Sequence, residues 1–130
     1  MIAMIALALA GAGQPADTLN CDDARNQAEM NQCAARDFET ADAELNRVWR
    51  EAVASAREAD GETDANADGR SSYESTLRDA QRAWLAFRDA HCSWEGYEAR
   101  GGSMESMLYE MCRANLTRER TEQLRAPNDI

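Results

Sequence analysis

A chain of 130 residues suits one domain, and 44% apolar residues with only 6% aromatics and abundant alanine favour helices packed on small side chains over a β-sandwich. Acidic groups outnumber basic ones 24 to 14, a formal charge of -10, and every basic side chain is an arginine. A surface this negative repels phosphate backbones and anionic lipid, which argues against nucleic acid; it either serves solubility alone or speeds encounter with a strongly basic protein partner.

Residues 1–20 read as a secretory signal peptide with a short lead. The apolar run from Ile2 to Ala10 is followed by small residues that offer Ala8-Leu9-Ala10 or Ala10-Gly11-Ala12 for cleavage, although no basic residue precedes it. It is too short to span a bilayer, so no stable membrane insertion is expected after its removal. A lipid anchor at Cys21 is disfavoured, because Thr18-Leu19-Asn20 is a poor lipidation sequence. A helical domain over residues 21–125 follows, and residues 126–130, with Pro127, form a tail.

Within the domain, Met30, Cys33, Ala34, Ala41, Leu45, Val48, Trp49 and Ala52 recur at steps of three and four. They predict a long first helix from about Asp23 to Arg57, bent near Arg36 to Glu39. The stretch from Asp60 to Ser72 has no apolar side chain larger than Ala and reads as a loop. Ser71 with Glu74 forms a candidate capping box for a second helix, whose face carries Leu77, Ala80, Gln81, Trp84, Phe87, Arg88 and His91 as far as Trp94. Gly101-Gly102 breaks the pattern. Ser103 can cap a third helix with Met104, Met107, Leu108, Met111, Cys112, Asn115 and Leu116 on one stripe running toward Leu124.

Four cysteines, Cys21, Cys33, Cys92 and Cys112, fit an oxidising compartment and two bridges. Zinc would want a close Cys pair, and the sequence has none. Cys92 and Cys112 each lie ten residues from Gly102, so an antiparallel hairpin about that turn sets them opposite each other. Cys21 and Cys33 remain for the second bridge. In continuous helix they would stand about 18 Å apart, so that pairing requires a non-helical lead-in. Four cysteines allow three connectivities, and crossed pairings stay open.

No catalytic residue is assigned. His91 lacks a nucleophile with an orienting carboxylate and is better read as a half-buried side chain closing a polar contact. Gln81 and Arg88 sit on an otherwise apolar face and need partners, which Asp42 and Asn46 on the first helix can supply; an Arg88 to Asp42 pair would set the alignment of the two helices. Asp64, Asn66, Asp68 and Gly69 match the first half of a calcium loop, but its twelfth position is Ser75 where a bidentate Glu is required. That leaves a weak calcium candidate at 64–75 and otherwise no metal or cofactor.

Taken together, Cys21, Gln27, Glu29-Met30-Asn31, Cys33, Ala41-Asp42, Glu44-Leu45-Asn46, Ala80-Gln81, Trp84, Arg88-Asp89, Cys92, Gly102, Cys112 and Arg120 resemble the LprI-type lysozyme-inhibitor domain family, over about Cys21 to Leu124. The resemblance implies a secreted or periplasmic bacterial protein, all-α, with four paired cysteines in a bundle of about three helices. It also implies a non-enzyme that inhibits lysozyme-type glycosidases. Such enzymes work with two carboxylates in a groove, so an inserting group should be neutral or cationic even where the inhibitor as a whole is acidic. Tyr97 and Arg100, between the second and third helices, offer an aromatic anchor and a guanidinium for that role. The alternative is a non-inhibitory envelope binding or structural protein.

Overall fold

A computed structural model describes residues 19–64 and 67–125. The apolar run, the candidate cleavage sites, Asn66 and the tail at 126–130 lie outside these residues. Among the described residues three helices carry the fold: α1 (Gln27–Glu62), α2 (Tyr73–Gly96) and α3 (Glu105–Arg125), with 3-10 turns at Cys21–Asp23 and Tyr97–Ala99. Among the described residues there is no strand, and no helix is long and apolar enough to cross a membrane.

Local chemistry explains the helix ends. Asn26 accepts from the Glu29 amide at 2.9 Å while the Glu29 carboxylate accepts from the Arg25 amide at 2.7 Å, a reciprocal cap that starts α1 four residues later than the apolar pattern predicts. Upstream, the Cys21–Asp23 turn supplies the non-helical lead-in required to bring Cys21 and Cys33 to a Cα separation of 5.5 Å. At its other end α1 continues five residues beyond the predicted stop, to a cap in which Thr63 donates from its amide and its hydroxyl to the Ala59 carbonyl. Through Arg36 to Glu39, where the pattern predicts a bend, the hydrogen-bonded helix of α1 continues without interruption, and buried Ala34, Ala41, Leu45 and Val48 share one face. Ser72, not Ser71, caps α2, and the Asp60 carboxylate of α1 accepts from the Tyr73 and Glu74 amides at 2.8 and 3.1 Å. Glu74 is thereby drawn into ion pairs with Arg57 and Arg78 instead of a capping box.

Polar contacts between helices define the topology. Asp60 with Tyr73 and Asp42 with Arg88 make α1 and α2 antiparallel, whereas Asp37 with Arg118 and Glu44 with Arg125 make α3 parallel to α1. The core centres on Leu45, Val48 and Leu124, with Trp49, Ala52, Leu77 and Trp84 packed against them. Complete burial of a residue such as Leu45 contributes about 2 kcal/mol. From α3 the core takes Ala114, Thr117 and Thr121 as well as Leu124. Thr121 is tolerated there because its hydroxyl donates to the Thr117 carbonyl at 2.9 Å. Both bridges form, Cys21 to Cys33 and Cys92 to Cys112.

Several side chains assigned to core stripes point outward instead. Phe87, Trp94, Met104 and Met111 are exposed, since α2 offers its inward face through Leu77, Trp84, Arg88 and Cys92, and that set leaves no inner position for Phe87 or Trp94.

Candidate functional site

Arg88 is 5% exposed and occupies the centre of the bundle. Its guanidinium lies over Phe38 at 5.1 Å and Trp84 at 5.2 Å, donates to Asp89 at 2.9 Å and to the Thr117 hydroxyl at 3.4 Å, and approaches Asp42 at 3.9 Å. All three helices therefore meet on one side chain. Asn46 turns to Asp42, at 3.4 Å, and does not reach α2. Gln81 finds its partner on α3: its carbonyl oxygen accepts from Arg120 at 2.9 Å. Burial pushes the Arg120 guanidinium below its ordinary value, and its other hydrogen bond is to the side-chain amide of Gln123 at 3.1 Å. Phe38, Arg113, Thr117 and Arg120 complete this network. Of these only Arg120 was marked in the sequence, by resemblance, because single residues outside an apolar stripe carry no periodic signal.

Arg113 extends the stack, lying over Phe38 at 3.7 Å and Tyr109 at 4.7 Å while donating to Glu110. These interleaved arginines and rings lock α3 to α1 beside the Cys92 to Cys112 bridge. Among the described residues of this network no nucleophile is paired with a base. His91 donates from its ring to the Glu95 carboxylate at 3.0 Å and stacks on Phe87 at 5.2 Å. Cys112 lies close to both His91 and Glu95, but its sulfur is already in the disulfide.

The turn between α2 and α3 is built for close approach. A Cβ on Gly96 would meet the Glu105 carbonyl oxygen at 3.4 Å, and Gly101 adopts φ 79°, a region that favours glycine. The Gly101 amide donates to Glu105, and Gly102 donates to the Ala99 carbonyl at 2.8 Å. On this turn Arg100 stacks on Tyr97 at 4.5 Å, with both side chains exposed. The buried Cys92 to Cys112 bridge ties together the two helices that carry the turn. Tyr97 and Arg100 thus form a tip distinct from the quartet of Asp42, Asn46, Gln81 and Arg88.

In the acidic loop, Asp68 accepts from the Arg70 amide at 3.0 Å and from its guanidinium, contacts that hold its carboxyl below the ordinary range. The Asp64 carbonyl accepts from the Ala67 amide at 3.0 Å. Elsewhere on the surface Glu58, Glu98 and Glu119 make no ion pair among the described residues, which leaves exposed negative charge on α1, on α3 and on the turn before α3.

The family described as lysozyme inhibitor LprI matches residues 20–124. An uncharacterized protein of Rhizobium meliloti (strain 1021) is 46% identical over 107 residues, 82% of this chain and 76% of that protein. No solved structure matches. With two bridges, an all-α bundle and a family match that spans the folded region from before the first cysteine to the end of the core, the chain belongs to the lysozyme inhibitor LprI family.

Proposed function

We propose that this protein is exported, loses a signal peptide within residues 1–20, and acts from residues 21–125 as a periplasmic or secreted inhibitor of a lysozyme-type glycosidase. The observation that carries the proposal is the family match over residues 20–124. Two disulfides support an oxidising destination. The formal charge of -10 supports a basic partner, drawn in by long-range attraction. Docking then uses the Tyr97 and Arg100 tip, where a stacked guanidinium can face the carboxylates of a glycosidase groove without like-charge repulsion.

Purified oxidised protein, assayed for its effect on bacterial cell-wall turbidity with several lysozymes, tests this reading. Inhibition at micromolar protein that weakens as salt rises is expected, and substitution of Arg100 by Ala should reduce it about tenfold or more. Absence of inhibition against every lysozyme at low salt overturns the proposal, and full inhibition by R100A overturns the placement of the tip.

A further inference from the structure

One flank of α2, bordering at its start the groove beside α1, carries a repeat that neither the core nor the tip uses. Tyr73, Thr76, Ala80, Ala83, Phe87, Ala90 and Trp94 follow one another at alternating steps of three and four, and every one is exposed. Steps of this kind place all seven on one stripe, about 32 Å long, of the type that seats against another helix. No charge interrupts it. Tyr73, Phe87 and Trp94 are 55%, 54% and 68% exposed, large rings left in water on a protein whose aromatics are few.

The two rows of the stripe differ in size. One contains Tyr73, Ala80, Phe87 and Trp94; the other contains only Thr76, Ala83 and Ala90. When two helices of this pattern meet antiparallel, the first row of each faces the second row of its neighbour, so rings fall opposite Ala or Thr in each register that pairs the rows. The stripe is therefore complementary to itself. Electrostatics points the same way: α2 carries three arginines against four carboxylates, close to neutral within a chain of formal charge -10. Its Glu74 and Arg78, Asp79 and Arg82, and Arg88 and Asp89 are already paired with one another. A cationic partner gains little at such a face, whereas two copies can approach there without opposing like charges.

From these observations we infer that the α2 stripe is a self-association surface, joining two copies of this chain antiparallel about a two-fold axis. The exposed parts of three rings and four small residues supply roughly 400–500 Å² per copy, or about 900 Å² in the pair, below the roughly 1,200 Å² of standard interfaces. The dimer is accordingly weak and concentration-dependent. Its antiparallel arrangement sends the two Tyr97 and Arg100 tips to opposite ends, so the inference is independent of the inhibitor reading.

Sedimentation velocity of the oxidised chain, from about 10 µM to about 1 mM and at about 0.05 M and about 0.5 M salt, tests it. A monomer–dimer equilibrium that tightens with salt is expected, because screening relieves the repulsion between two acidic bodies. Ala83→Glu and Phe87→Ala should each weaken the dimer about tenfold or more, with melting and lysozyme inhibition unchanged. A monomer throughout, a dimer that loosens with salt, or a dimer indifferent to both substitutions overturns the inference. So does loss of lysozyme inhibition in A83E, which would assign the stripe to the glycosidase.

Discussion

Arg88 holds three helices through stacking and packing more than through charge. Its carboxylate partners are partly open to solvent, Asp42 at 39% and Asp89 at 49%, and Asp42 stands at the long end of an ion pair, 3.9 Å away. Screened pairs of this kind contribute less than about 1 kcal/mol. The buried stem and the two rings that sandwich the guanidinium matter more. In urea denaturation Arg88→Ala should cost about 3 kcal/mol by opening a cavity between Phe38 and Trp84, whereas Asp42→Asn should cost less than about 1 kcal/mol. Equal losses would show that the ion pair, and not the stack, aligns the helices. Arg88→Lys should fall between them, since an ammonium keeps the charge but cannot lie flat between two rings.

Helix pairing depends on links outside the apolar core. Glu74 on α2 bonds Arg57 of α1 and Arg78 of its own helix. Its carboxyl is held below the ordinary value of 4.5, first by the Arg57 hydrogen bond and then by the Arg78 one. A carboxylate depressed in this way adds stability above its unfolded value and loses that contribution as pH falls through the folded one. Melting temperature should therefore decline on acidification below about pH 4.5, and Glu74→Gln should flatten that decline. An E74Q profile parallel to wild type would place the acid sensitivity elsewhere.

The two bridges differ in access rather than in span. Cys92 to Cys112 closes 20 residues and Cys21 to Cys33 closes 12, so loop entropy gives each about 3 kcal/mol. Cys92 and Cys112 are buried, but Cys21 is exposed at the edge of the fold. Graded reduction followed by alkylation and mass spectrometry should open Cys21 to Cys33 first, with helicity retained. Simultaneous opening of both would show that access to Cys92 and Cys112 is no more restricted.

Across the whole molecule the helices differ in length, and this sets where stability lies. The 36 residues of α1 outrun the 21 of α3, which ends beside Glu44 through Arg125. Beyond that point α1 and the first turns of α2 continue as a pair, flanking a groove of about 630 Å³ lined by Ala52, Ala56, Tyr73, Leu77 and Leu124. Past Val53 no residue of α1 is buried. Hydrogen exchange should follow this gradient: amides of 54–62 should exchange at least about tenfold faster than those of 41–48. Uniform protection along α1 would mean that the helical pair is braced by contacts additional to those of the core.

The chain's class was legible in its residues because helical periodicity and alanine content are local properties. Likewise the Cys92 to Cys112 bridge could be placed by counting from Gly102, since a hairpin turns sequence distance into spatial opposition. The resemblance carried the family. What sequence could not decide was rotation about each helix axis: Phe87 and Trp94 keep the same spacing whether they face the core or the solvent. That choice fell to the meeting of Arg88, Phe38, Trp84 and Thr117, contributed by three helices and separated by up to 79 residues along the chain. The partner of Gln81 and the parallel return of α3 along α1 were settled in the same way. A polar side chain announces that it needs a partner, but only the folded arrangement determines which one comes within reach.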